Sequence, residues 1–273
     1  MLPERWAVSE NHQQLTLHVG ARTERGRREE NQDQMSGFAS GLGSVYLVAD
    51  GMGGHSDGAL AARVTADGFR KHLAKVADIA LNPETNVAAI LQAVTTTVNQ
   101  EMMASCDASA PQTRRMGSTV VLVAALARPQ GMEFVVGHIG DSRAYMVRAG
   151  RLTRLTVDHS IVQQLLVEGL VTPSEAIDHP DTHVLTRALG QYETVDLEIL
   201  SPQPLLANDR IILCTDGLWG YIPDEMILSQ TDSFDDPADL ANSLVDLALA
   251  RGSDDNVTIQ VLYVEPPPKV EFL

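Results

Sequence analysis

Aspartates placed where a strand-like run ends or begins recur five times along this chain, and no other feature constrains its fold as much. Val48-Ala49-Asp50-Gly51-Met52-Gly53-Gly54-His55 closes a strand-like run with a carboxylate and follows it with glycines. Leu213-Cys214-Thr215-Asp216-Gly217 repeats the arrangement, and Ile139-Gly140-Asp141-Ser142-Arg143 places its Asp in a turn between two strands. Ser253-Asp254-Asp255-Asn256 immediately precedes the last strand, and Asn31-Gln32-Asp33 follows the first. One Asp-Gly is an ordinary turn and argues nothing. Five together predict a rigid sheet edge that fixes several carboxylates, with Gly admitting a backbone carbonyl or a substrate. Carboxylates gathered there repel one another and are costly to desolvate without a partner. Bound cations resolve that conflict, and an oxygen-only donor set favours Mg2+ or Mn2+.

The periodicities supply the frame. Leu15, Leu17 and Val19 alternate with polar residues, as do Val195, Leu197 and Ile199, which predicts strands with one wet face. Ser44–Ala49, Thr119–Leu126, Phe134–His138, Arg210–Thr215 and Val257–Val264 read as more deeply buried strands. Ala149-Gly150 joins Arg143–Arg148 to Arg151–Leu155 as a tight hairpin. Helical spacing runs from Gly58 to about Ala80 and from Val87 to Val98. Asp236-Pro237 opens a further helix, with Leu240, Leu244 and Leu247 on its buried face. Between His159 and Ala176 lies a helical pair: Gly169 stops its first member, and Thr172-Pro173-Ser174-Glu175 is a capping box for the second. Hairpin strands with helices gathered between them indicate an α+β fold with layered sheets.

Composition narrows the function. The 273 residues include 36 acidic and 20 basic side chains, a net charge of −16. A pI near 4.8 argues against a nucleic-acid partner. The acidity reads either as solvated surface or, in part, as carboxylates converging on cations. With 44% apolar residues the chain builds a sizeable core. Length alone suggests two domains at about 150 residues each, or one large layered domain. The aspartates of one site run from Asp33 to Asp255, so a single domain over 15–264 is expected, with 1–14 and 265–273 as flexible ends. Cys106 and Cys214 have no ligand-type spacing, so neither a disulfide framework nor a cysteine zinc site is expected. No signal-like segment and no spanning apolar run is present, so a soluble cytoplasmic protein without a membrane partner is expected.

Arg28, Asn31 and Asp33, then Asp50 to His55, Gly117-Ser118-Thr119, Gly140-Asp141-Ser142-Arg143, Asp216-Gly217-Leu218-Trp219 and Asp255-Asn256 follow a known order. Over about residues 15–264 the chain resembles the metal-dependent type 2C Ser/Thr protein phosphatases, and most closely their bacterial branch. The resemblance implies a four-layer α-β-β-α sandwich, two antiparallel sheets flanked by helices. It implies two Mn2+ or Mg2+ ions between the sheets, bridged by Asp50 and held by the Gly51 carbonyl, Asp216 and Asp255. Asp33 would hold the second ion, directly or through water, and Asp141 matches the position that, with Asp216, supports a third and weaker ion. Arg28 matches the arginine that binds the substrate phosphate. Gln32 stands where some members carry an acid.

Such a family hydrolyses phosphoserine and phosphothreonine in phosphoproteins by direct attack of water, here as a monomer opposing a bacterial Ser/Thr kinase. A dedicated phosphatase for one signalling protein and a phosphoprotein-binding pseudoenzyme are the alternatives. On its own, Arg22 to Glu30 reads as a solvated mixed-charge loop; the surrounding motifs make Arg28 a phosphate clamp. Some members place a proposed general acid, His, directly after Asp-Gly; Met52 occupies that position, leaving His55, His159, His183 or a water. Ser160 to Leu189 resembles the flap beside the active site, serving either as surface packing or in substrate selection.

Overall fold

A computed structural model describes residues 15–53, 56–76, 85–105, 116–129, 131–177 and 179–266. The alternating segments pair into two antiparallel sheets. The first contains β1 (Thr16–Glu24), β11 (Val257–Glu265), β10 (Arg210–Cys214), β7 (Arg143–Arg148) and β8 (Arg151–Arg154), in that spatial order. The second runs β2 (Asp33–Ser40), β3 (Gly43–Met52), β5 (Val120–Arg128), β6 (Gly131–Ile139) and β9 (Glu198–Leu205), with the short β4 (Gly117–Ser118) paired to the end of β3.

Three apolar layers follow from the period-two alternation of these strands. Val48, Val121, Phe134, Leu213 and Leu262 fill the space between the sheets. The opposite face of the second sheet is covered by α1 (Ser56–Leu73) and α2 (Val87–Ser105) through Phe69, Leu91 and Val98. The outer face of the first is covered by α5 (Asp216–Trp219), α6 (Asp224–Thr231) and α7 (Pro237–Ala250) through Leu218, Ile227 and Leu244. The expected α+β sandwich of four layers is therefore the observed fold. Cys214 is fully buried, as an inert apolar residue should be.

Local signals explain most boundaries. Asp236 caps α7 by accepting from Ala238 N at 2.7 Å and Asp239 N at 3.1 Å. Ala149 and Gly150 both take positive φ, which the tight β7–β8 turn requires. The flap carries α3 (Ile161–Val167) and α4 (Pro173–Ile177). In the capping box of α4, Glu175 Oε2 accepts from Thr172 N at 2.8 Å.

One expected strand is displaced. Val195 and Leu197 are buried in extended chain, and β9 starts only at Glu198. Their backbone bonds go to a helix side chain: Gln92 Nε2 donates to Val195 O, and Gln92 Oε1 accepts from Leu197 N. Alternation thus reported burial correctly but not the hydrogen-bond partner. Strand β2 and helices α5 and α6 have weak periodicity and were not anticipated. The expected loop from Cys106 to Arg115 lies outside the described residues, as do residues 1–14 and 267–273. Among the described residues, no helix is long and apolar enough to cross a membrane.

Candidate metal centre and phosphate site

Strand register alone brings the predicted aspartates together. Asp33 and Asp50 are direct cross-strand partners at the end of the β2–β3 ladder. Thr119 locks that end to the start of β5: its N donates to Asp50 O at 2.8 Å, and its Oγ1 accepts from Asp50 N at 3.0 Å. In the other sheet β10 ends at Cys214, paired with Ile259 and Arg143. Asp216 then opens α5, Asp255 precedes β11, and Asp141 sits in the β6–β7 turn. All lie at one pole of the sandwich.

Two glycines are required there by close approach. A Cβ on Gly51 would lie 1.8 Å from Gly58 O, where α1 packs onto the strand end. One on Gly217 would lie 2.0 Å from Asn256 O. Any larger residue would push the carboxylate-bearing loops apart.

A polar lattice that the sequence reading missed holds the cluster. Thr215 Oγ1 donates to Asp33 Oδ2 at 2.9 Å and accepts from Thr258 N at 3.1 Å, tying one sheet to the other. Asn256 Oδ1 accepts from Gln32 N at 2.8 Å, while its Nδ2 reaches the carbonyls of Arg25 and Glu30. Thr119 and Ser142 share a hydroxyl bond of 2.7 Å, and Trp219 Nε1 donates to Asp141 O at 3.0 Å. Hydroxyls and amides flanking each aspartate were the available signal.

The electrostatics are those of a site built for cations. Asp33 and Asp141 are 3% and 5% exposed, and among the described residues neither forms an ion pair with Lys or Arg; nor do Asp50 and Asp216. Burial, reinforced by neighbouring carboxylates, pushes Asp33 up to about 7. The same causes raise Asp50 and Asp141 well above the carboxylate range, and Asp255 less far. Asp216 Oδ1 is buried without a hydrogen-bond partner among the described residues. Such an orphaned acceptor beside like charges fits a hard cation.

Arg28 stands at the rim. Its Nη2 donates to Asp255 Oδ2 at 2.8 Å and its Nε to Asp254 O at 3.0 Å, and among the described residues Nη1 is uncommitted; Arg28 lines a cleft together with Asp216 and Asp255. The histidines separate. His183 Nδ1 lies 3.8 Å from Asp216 Oδ2, and the nearby carboxylate raises the imidazole pKa. His159 faces away: its Nδ1 accepts from Gly140 N at 3.1 Å and its Nε2 meets Glu198 at 3.0 Å. Burial lowers it to about 4. Because Nδ1 accepts from a backbone N–H, the proton sits on Nε2 and the ring is neutral. His55 lies outside the described residues, and Met52 closes β3 half-buried.

Comparison with known proteins agrees with this geometry. The Protein phosphatase 2C family profile matches residues 21–259, and the chain belongs to that family of metal-dependent Ser/Thr protein phosphatases. It is 35% identical over 248 residues to the serine/threonine protein phosphatase PstP of Mycobacterium tuberculosis, covering 90% of this chain and 45% of that protein. The chain thus spans under half the length of that relative. It is 32% identical over 252 residues to the serine/threonine phosphatase stp of Listeria monocytogenes, covering 89% of this chain and 94% of that one. The crystal structure of the PstP catalytic domain in complex with two manganese ions superposes with a TM-score of 0.77. Identity there is 32%, over 92% of this chain and 99% of that one.

Proposed function

We propose that this chain hydrolyses phosphoserine and phosphothreonine in phosphoproteins, using a binuclear Mn2+ or Mg2+ centre at the aspartate pole. What supports this most is the cluster of Asp33, Asp50 and Asp216 without a Lys or Arg partner among the described residues, together with the orphaned Asp216 Oδ1. Asp50, the Gly51 carbonyl, Asp216 and Asp255 would hold the pair of ions, with Asp33 behind the second and Asp141 beside Asp216 for a weaker third. Bound there, such ions would make a water nucleophilic near neutral pH and offset the charge of a phosphate dianion.

The chain's own residues do the rest. Arg28 presents Nη1 to phosphate oxygens and is itself oriented by Asp255 and the Asp254 carbonyl, so the ester is held in line for attack. Thr215 holds the Asp33 carboxylate in place, and Thr119 fixes the backbone at Asp50. His183, 3.8 Å from Asp216, is the imidazole placed to give a proton to the departing seryl or threonyl oxygen. His159, neutral and engaged on both nitrogens, positions the Gly140–Asp141 turn.

One catalytic domain over residues 15–264 accounts for every assigned position. Opposition to a bacterial Ser/Thr kinase is the physiological counterpart of this chemistry. The test is hydrolysis of an aryl phosphate and a phosphothreonine peptide with Mn2+. Chelation should abolish it, and activity undiminished by chelation would sink the proposal.

A further inference from the structure

The cleft beside Arg28 and Asp216 extends well past the proposed phosphate position. With a volume of about 960 Å3, it runs between flap helix α3 and the α5–α6 segment, and two more arginines line it. Arg143 is fully engaged. It forks onto Asp158 through Nε and Nη2, at 3.0 Å and 2.6 Å, and its guanidinium stacks 3.4 Å above the Trp219 ring. Arg154, at the end of edge strand β8, is not engaged in this way. Its Nη1 lies 3.6 Å from Asp158 Oδ2, beyond hydrogen-bond range, and Nη2 makes one long bond of 3.4 Å to Gln163 Oε1. Among the described residues, Asp158 is the one acid within ion-pair reach of either guanidinium. Two positive charges therefore share one negative charge, and most of Arg154's five donors remain unspent. Asp224 lines the same cleft without pairing to either arginine.

We infer that Arg154, backed by the Arg143–Asp158 pair, is an anion subsite of the substrate cleft. It takes a carboxylate or phosphate on the substrate polypeptide at least about four residues from the phosphate being hydrolysed. This rests on the phosphatase reading above and adds a substrate class to it. The spacing comes from sheet order. From β11, beside Asp255, to β8 the chain order is β11-β10-β7-β8, three neighbouring steps. At about 4.8 Å each they span about 14 Å across the strands, and the register sets Arg154 level with Val261, further along β11 than Asp255, so an extended peptide needs at least about four residues. Val162, Leu166 and Ile222 give the intervening stretch an apolar wall, suited to side chains between the two anions.

The experiment uses phosphothreonine peptides in which one Glu, or one second phosphothreonine, is moved through about six positions on each side. With Mn2+, kcat/KM should peak at one position at or beyond about the fourth, at least about fivefold above the all-Ala peptide, for both anions. Arg154→Ala should level the series. Arg154→Glu should transfer the preference to Lys at the same position, a gain that misfolding cannot produce. Equal kcat/KM across the series in the unmodified chain, or a preference that survives both substitutions, would overturn the subsite while leaving the phosphatase reading intact. Failure to hydrolyse any peptide would overturn the phosphatase reading itself, and the subsite with it.

Discussion

Buried carboxylates in this molecule come in two kinds. Asp209 is 1% exposed and fully satisfied: Arg148 grips both of its oxygens, and Leu206 N donates at 2.7 Å. Asp158 is held in the same way by Arg143. Far from Asp209, Asp33, Asp50 and Asp216 face one another without a guanidinium partner among the described residues, although the chain has the means to supply one. The comparison teaches that the fold places arginine where a charge serves structure and leaves it out where, on the proposed function, a charge would meet a mobile cation. Arg28 is the intermediate case, touching only the outermost acid of the cluster.

Each kind should break with its own signature. Asp50→Asn should cut Mn2+-dependent hydrolysis by at least about a thousandfold, while urea denaturation of the metal-free chain shows no loss of stability. Arg148→Ala should do the reverse. Leaving Asp209 buried and unpaired costs about 3 kcal/mol in chemical denaturation, and the folded protein keeps its kcat. Between them falls Arg28→Ala, which should raise KM for a phosphate ester about tenfold while calorimetric Mn2+ affinity stays within about twofold.

The smallest effect is one of pH, and it sharpens the contrast. Burial and neighbouring acids hold Asp33, Asp50 and Asp141 above their unfolded values. The folded metal-free chain therefore binds more protons than the unfolded chain. Its stability is greatest below about pH 4 with respect to these groups and falls as pH rises toward about 7. Urea midpoints at about pH 5 and about pH 7.5 should show that fall, and saturating Mn2+ should flatten it. A metal-free midpoint that rises with pH over this window would contradict the account of unpaired acids.

What was legible in the sequence was whatever is periodic or punctuated. Strand-end aspartates, the Asp236 cap, the Ala149-Gly150 turn and the Thr172 capping box are local statements, and the structure repeats them. Less legible was anything whose partner is remote. Thr215 acts only because Thr258 and Asp33 come to it from other strands, and no spacing announces that. Gln92 replaces a strand neighbour for Val195 and Leu197 from about a hundred residues away, so alternation misplaced that strand. Short α5 and the weakly periodic α6 owe their form to packing on the outer sheet face, where Leu218 and Ile227 are buried. Within the candidate site the same division holds: the carboxylates stand out in the sequence, whereas the hydroxyls and amides that aim them emerge only in three dimensions.

The central claim, that the unpaired aspartates exist to hold metal, is tested most directly by calorimetric Mn2+ titration of the metal-free chain beside its Asp50→Asn form. The account predicts two Mn2+ ions bound by the unmodified chain, and loss of that binding on replacing the one residue that would bridge them. Equal stoichiometry and affinity in the two proteins would contradict it.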